Sequence, residues 1–193
     1  MDITTMSDES LIDELLGLGC LGSMPADTAP RVCETKLFAA TPFAPRLQHI
    51  LEVARELLVR GLRRNLQERA LMDSPATFRD WVRLRCAHLE HEVFLVVFLD
   101  VHHRLLDVEV LFRGTLTQTS VYPREVLKSV MARNAAAVAF VHNHPSGNPE
   151  PSLADERLTM TLKTALGLVD VRCVDHFIVA GDHVLSMAER GLI

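Results

Sequence analysis

The chain has no surplus of positive charge, no close pair of cysteines, no basic leader and no long apolar run. It sets 20 Lys and Arg against 25 Asp and Glu, a formal net charge of -5 with a sequence pI near 6.0. Sequence-independent binding of nucleic acid draws on Lys and Arg gathered on one face, so any contact with DNA has to be local. Cys20, Cys33, Cys86 and Cys173 lie far apart with no C-x-x-C pair, which excludes a zinc knuckle or a dithiol redox motif and leaves free thiols in a reducing compartment. The longest apolar runs, VFLVVFL from Val93 and AAAVAFV from Ala135, are about a third of the roughly 20 residues that a membrane-spanning helix needs, and they read as buried strands. The N-terminal MDITTMSDES is acidic and polar where a secretory signal is basic and then apolar. A cytoplasmic protein with no membrane partner is expected.

What is present is the composition of a folded domain: 193 residues, 48% hydrophobic and 23% charged, enough for one main domain and a smaller extension. Residues 1–73 read as a helical and irregular N-terminal extension. ESLIDELLGLG is a short helix, and Pro25, Pro30, Pro42 and Pro45 mark an irregular connection. From Leu47, apolar residues at Leu47, Ile50, Leu51, Ala54, Leu57 and Leu58 trace one face of a second helix. Its end carries Arg60, Arg63, Arg64 and Arg69, read as a solvated face in preference to a phosphate contact.

Residues 74–193 read as the main domain. Ser74 and Pro75 start a helix running to about Leu89, and VFLVVFL and LLDVEVLF form a hairpin with His102 and His103 at its tip. TLTQTS is a third, more polar strand, Pro123 opens a helix that stops near Asn134, and AAAVAFV is the next strand. Ser152 begins a helix that ends at Gly167, whose freedom at positive φ suits a C-cap. VRCV, DHFIVA and HVLSM complete the sheet, the last two turning at Gly181-Asp182. The class is α/β (α+β), a mixed sheet flanked by helices.

The chemistry concentrates in HNHPSGNPEPSLAD. His142 and His144 sit where a strand ends, and a period of two sends both imidazoles from the same face. Two imidazoles and one carboxylate leave the fourth tetrahedral position of a zinc ion to water, the arrangement of a catalytic site. Asp155 supplies that carboxylate if the Pro- and Gly-rich loop folds back on the strand. Ser152 followed by Asp155 also resembles a capping box, which by itself starts a helix. Other hydrolase signatures are missing: Leu95 stands where H-E-x-x-H from His91 needs a second His, and the zinc deaminase pattern is absent.

The series His142, His144, Pro145, Ser152 and Asp155 resembles the JAMM signature of MPN-type metalloproteases. FRGTLTQTSVYPREVLK, NAAAVAFVHNHPSGNPEPSLADERLT and LVDVRCVDHFIVAGD are similar to its RadC branch, bacterial proteins traditionally labelled DNA repair proteins. The resemblance runs from about Ser74 to the C-terminus. It implies a JAMM/MPN fold, cytidine-deaminase-like in layout, with Zn2+ held by His142, His144 and Asp155. It also implies a glutamate just before the first strand that accepts a proton from water, and here Glu92 stands there; Glu109 and Glu125 are positional alternatives. Ser152 matches the serine that donates to the developing oxyanion, so its two readings stay open. Asn143 and the Asp175-His176 pair are candidates for supporting the ligands from behind.

The family also implies an N-terminal helix-hairpin-helix module that binds DNA. Here LLGLGCLG is the only glycine cluster, and the module reads as shortened or degenerate. The first functional reading is therefore a zinc-dependent hydrolase of amide or isopeptide bonds acting on a protein or peptide. The second is a DNA-repair-associated factor whose metal domain is a scaffold. Phosphodiester cleavage with two metals is disfavoured because only Asp155 and Glu92 are well placed.

Overall fold

The computed structural model describes residues 2–19, 44–73, 75–114 and 121–193. They form five α-helices and a five-stranded sheet, with the chain divided into two compact units, Met1–Gly61 and Leu62–Ile193. No helix among the described residues is long and apolar enough to cross a membrane. The Pro-rich segment before Ala44, the N-cap expected at Ser74 and the TLTQTS strand fall outside the described residues.

The N-terminal unit holds α1 (Asp8–Gly19) and most of α2 (Ala44–Glu68). Among its described residues, Leu11 and Val53 are fully buried. Arg60 departs from the solvated face expected of it. Its guanidinium donates to Asp8 at 2.9 Å, to Glu56 at 2.8 Å and to the Met6 carbonyl at 2.6 Å, tying α2 to the start of α1. Acidic side chains one turn back and on the facing helix explain the change.

In the second unit, α3 (Pro75–Cys86) leads into β1 (Val93–Leu99), which turns through Asp100–Arg104 into β2 (Leu105–Arg113). The Asp100 carboxylate accepts from the backbone N–H of both His102 and Arg104 at 2.8 Å, and His103 takes φ 59°, so both histidines are turn residues. Then follow α4 (Pro123–Ala132), β3 (Ala137–Asn143), α5 (Leu153–Gly167), β4 (Arg172–Ala180) and β5 (His183–Ser186). The strand order is β2-β1-β3-β4-β5, parallel between β3 and β4 and antiparallel elsewhere. A parallel pair needs a crossover, and α5 provides it.

Every residue of β1 and β3 is buried because both faces of the central strands are covered. On one face Phe94, Phe98, Phe140, Val126, Val130, Leu162 and Leu166 join β1 and β3 to α4 and α5. On the other, Phe78 of α3 packs on Phe177 of β4 with ring centroids 4.7 Å apart, beside Trp81. Each such side chain contributes about 1.5–3 kcal/mol. His142 and His176 lie on the α4/α5 face, in register with Phe94 and Phe140 respectively, so the histidines continue the same stripe that forms the core.

Two expected boundaries move, and α5 ends at Gly167 as expected but without the expected glycine cap. The helix α3 ends at Cys86 and does not reach Leu89, because the carbonyls of Leu89 and His91 bond the Asn143 amide at 3.3 and 3.0 Å. VRCV and DHFIVA are one strand: the register slips between Val138 and Ala139 of β3, so Val174 is an extra residue absorbed as a bulge. Gly167 does not adopt positive φ; Asp170 does, at 58°, three residues beyond the end of α5. Leu166 there accepts from Val171 N–H at 3.1 Å, so the turn is tightened beyond the helix.

Candidate metal centre

The end of β3 and the first turn of α5 meet at one cleft of about 660 Å³. The backbone N–H of His144 donates to the Val179 carbonyl at 2.8 Å, which carries the β3–β4 ladder past Asn143 and fixes the second histidine in strand geometry. Both rings consequently leave the same face, with His142 Nε2 2.9 Å from His144 Nε2. Gly147 N–H closes a turn onto the His144 carbonyl at 3.0 Å, with φ +79° at Gly147, and sends the loop back toward α5.

That helix opens with a capping box. Ser152 Oγ accepts from Asp155 N–H at 3.2 Å, and the Asp155 carboxylate accepts from Ser152 N–H at 2.8 Å. The Ser152 hydroxyl also donates to Asp155 Oδ2 at 2.6 Å. Two donors therefore hold Oδ2, and Oδ1 is directed to His142 Nε2 at 3.4 Å. Oδ2 lies 3.7 Å from His144 Nε2.

The donor set fits a zinc ion. Zinc bonds of about 2.0–2.1 Å place the corners of a tetrahedron about 3.3 Å apart. The His142 Nε2–His144 Nε2 and His142 Nε2–Asp155 Oδ1 separations of 2.9 and 3.4 Å lie on either side of that edge, and one donor atom from each of the three residues falls within 4.8 Å of the others. His144 Nδ1 lies 2.7 Å from the Asn148 carbonyl, which can only accept, so the ring proton sits on Nδ1 and Nε2 presents a lone pair. Burial, opposed by Asp155 and helped by His144, pulls the pKa of His142 down to about 4. His142 is thus neutral near pH 7, the form that binds metal. His144 and Asp155 are half-buried, which leaves the group open on the cleft side.

Glu92 is half-buried and lines the same cleft as the histidines, Ser152 and Asp155. Its position depends on Asn143. The Asn143 side-chain oxygen accepts from Val93 N–H at 2.8 Å while its amide nitrogen donates to the carbonyls of Leu89 and His91, so the backbone is held on both sides of Glu92. The two other glutamates lie elsewhere. Glu109 on β2 pairs with Arg133 at 3.0 Å, and Glu125 in the first turn of α4 pairs with Arg124 at 3.2 Å.

Of the residues expected to support the ligands, His176 touches one. Its Nε2 lies 2.7 Å from His142 Nδ1, it is fully buried, and burial with the neighbouring His142 and His144 lowers its pKa well below the ordinary value. Asp175 serves the turn after β5, accepting from Ser186 Oγ at 2.5 Å and Ala188 N–H at 2.9 Å. Sequence reasoning missed Thr159, which bonds His176 at 2.6 Å, although its place four residues after Asp155 on one helix face was a usable signal. It also missed Tyr122 and Leu158, which give the cleft an apolar side.

The sequence profile of the RadC-like JAB domain matches residues 72–192. A UPF0758 protein of Leptothrix cholodnii is 58% identical over 147 residues, 76% of this chain and 64% of that relative, so the chain spans just under two thirds of its length. A UPF0758 protein of Methylibium petroleiphilum is 48% identical over 96% of this chain and 80% of its own length. One from Nitrosomonas eutropha is 45% identical over 98% of this chain and 91% of its own.

Proposed function

Since the chain belongs to the RadC-like JAB domain family, we propose that it is a zinc-dependent hydrolase of the JAMM type, cleaving an amide or isopeptide bond in a protein or peptide. The observation that carries this reading is the convergence of His142 Nε2, His144 Nε2 and an Asp155 oxygen within 4.8 Å of one another, in a cleft that Glu92 also lines. Zinc would be held by those three groups and would act as a Lewis acid, polarising a carbonyl oxygen and making water acidic near pH 7.

The remaining chemistry belongs to the chain. The Glu92 carboxylate takes a proton from the attacking water as the new C–O bond forms. It returns that proton to the nitrogen of the leaving amine as the C–N bond breaks, giving a carboxylic acid and an amine. The Asn143 clamp keeps the backbone at Glu92 from drifting, which matters because a misplaced general base loses most of its effect. Ser152 has its hydroxyl bonded to Asp155, so donation to an oxyanion requires the hydroxyl to rotate away; such a donor is worth roughly 3–4 kcal/mol. Val121, Tyr122 and Leu158 offer an apolar wall to a substrate side chain next to the scissile bond.

The test pairs zinc stoichiometry with hydrolysis of a peptide and isopeptide library. Glu92→Gln keeps size and hydrogen bonding but removes the basic site, so about one zinc per chain is retained while turnover falls by about 10²–10⁴. Loss of zinc in that variant makes Glu92 a ligand, and unchanged turnover moves the base elsewhere.

A further inference from the structure

One bank of the cleft is apolar, and a tyrosine stands on it for which the fold itself has no evident use. Tyr122 is the residue before α4, a position that ordinarily holds a side chain able to cap the helix, yet its side chain makes no cap bond. The Tyr122 carbonyl accepts from the N–H groups of Glu125 and Val126 at 3.0 and 3.3 Å, and Pro123 after it favours the extended backbone it adopts, at φ -98° and ψ 119°. The side chain is 54% exposed and lines the cleft with Val121 and Leu158, both of which pack on the core beneath.

Rings tie this bank to the metal centre. Tyr122 leans on Phe112 with centroids 6.2 Å apart, Phe112 meets its β1 neighbour Phe94 edge-on at 6.5 Å, and Phe94 lies within 15° of parallel to His142 at 6.5 Å. The row crosses the sheet from β2 through β1 to β3, so Tyr122 stands on the β2 side of His142. The loop after His144 leaves on the other side, because the His144 N–H is bonded to Val179 of β4, and it supplies Ser146, Asn148 and Glu150 to the cleft. A chain lying across the histidines therefore has polar groups along one flank and an aromatic ledge on the other.

What fits that ledge is decided by charge. Glu92, Glu150 and Asp155 line the cleft, and no Lys or Arg is among its described lining residues, so a phosphate or carboxylate group finds no counter-ion on the chain there. A cationic side chain is drawn to the carboxylates, but at Tyr122 the Arg124 guanidinium already lies 5.9 Å from the ring centroid and repels a second cation. A neutral apolar side chain meets neither obstacle and gains by covering the exposed ring. We propose that Tyr122 is a specificity-determining residue, selecting peptides with a neutral aromatic or large aliphatic side chain in the segment bound beside the metal centre. The inference rests on the reading of this cleft as a hydrolase site. A volume of about 660 Å³ is that of a pocket for a drug-sized ligand, room for one such side chain and the backbone near it.

Tyr122 is the single tyrosine of the chain, so its ring ¹H and ¹³C signals report occupancy of the ledge directly. The probes are capped heptapeptides of Gly and Ser with Phe, Leu, Ser, Glu or Lys at the centre, titrated into the full-length chain in chelator so that binding is read apart from turnover. The Phe and Leu peptides should move the Tyr122 signals and bind about 10-fold or more tighter than the other three. Tyr122→Ala abolishes that preference, Tyr122→Phe keeps the ring and restores it, and Leu168→Ala, which truncates an 83% exposed apolar side chain outside the cleft lining, binds as wild type. Equal binding of all five peptides, unmoved Tyr122 signals, tighter binding of the Glu or Lys peptide, or an undiminished preference in Tyr122→Ala overturns the proposal. Should the alanine variant fail to fold, the wild-type selectivity decides. The same peptides offered to the zinc-supplied chain separate the two readings: selective binding without cleavage removes the hydrolase and leaves the recognition, whereas cleavage with no preference among the five removes the recognition and leaves the hydrolase.

Discussion

Acid should destabilise the metal-free protein through His142. A histidine whose pKa is depressed in the folded state is protonated first in the unfolded chain, so stability rises with pH across the window between the two values and is lost as pH falls. For His142 the window runs from the ordinary 6.5 down to about 4, set mainly by burial. Each unit of difference is about 1.36 kcal/mol, and between pH 7 and pH 5 the linkage integral for this ring comes to about 1.8 kcal/mol. His176, lowered further by burial, acts in the same direction. Asp175 opposes them near the acid end, because its raised pKa lets the folded state take a proton early. At roughly 2–4 °C per kcal/mol for a chain of this size, His142 alone lowers Tm by about 4–7 °C. Urea melts in chelator can be followed by the single tryptophan, Trp81, which is fully buried against Phe78. His142→Asn removes the ring that must charge, so the drop from pH 7 to pH 5 should shrink by about 1.8 kcal/mol. A wild-type stability that is flat across this range, or an unchanged slope in the variant, refutes the reasoning.

Zinc content provides a second check: His142→Ala and His144→Ala each lose the metal, Asp155→Asn weakens its retention because a neutral amide is a poor ligand, and His102→Ala keeps it. Asn143→Ala strips the backbone around Glu92 of three hydrogen bonds and should cost about 2–4 kcal/mol in urea melts, with turnover reduced further than zinc content. With net charge -5, binding to a short DNA duplex at physiological salt should be weak and disappear as salt rises; a salt-resistant submicromolar complex by anisotropy would favour the scaffold reading instead.

Much of the candidate metal centre was legible because its residues are close in sequence. His142 and His144 share a face by strand periodicity, and Asp155 returns to them through a loop whose turn is written in Pro145 and Gly147. The strands were legible from their apolar runs. What the residues alone did not reveal depends on partners distant in sequence. His176 is 34 positions from His142, and only the parallel pairing of β3 with β4 sets it behind that ring. Arg60 resembles any helix-surface cation until the Met6 carbonyl and Asp8 come beside it. The continuity of β4 was hidden because a bulge at Val174 breaks the alternation that marks a strand. The end of α3 depends on the Asn143 amide capturing carbonyls more than fifty residues away, a tertiary competition that local propensity does not register.

The Asn143 clamp also divides the cleft into a rigid side and a compliant one. Because a single buried amide fastens the strand bearing both histidines to the segment bearing Glu92, those elements behave as one body, with no hinge between them. The opposite side is built differently. The loop from Pro145 to Pro151 is held by exposed contacts such as Glu150 with Arg190 at 3.0 Å and the Asn148 side chain with Glu150 N–H at 3.1 Å. Solvent-exposed bonds of this kind open at small free-energy cost. A bulky chain entering the cleft would therefore be accommodated by displacement of this loop, while the spacing between Glu92 and the histidines is preserved.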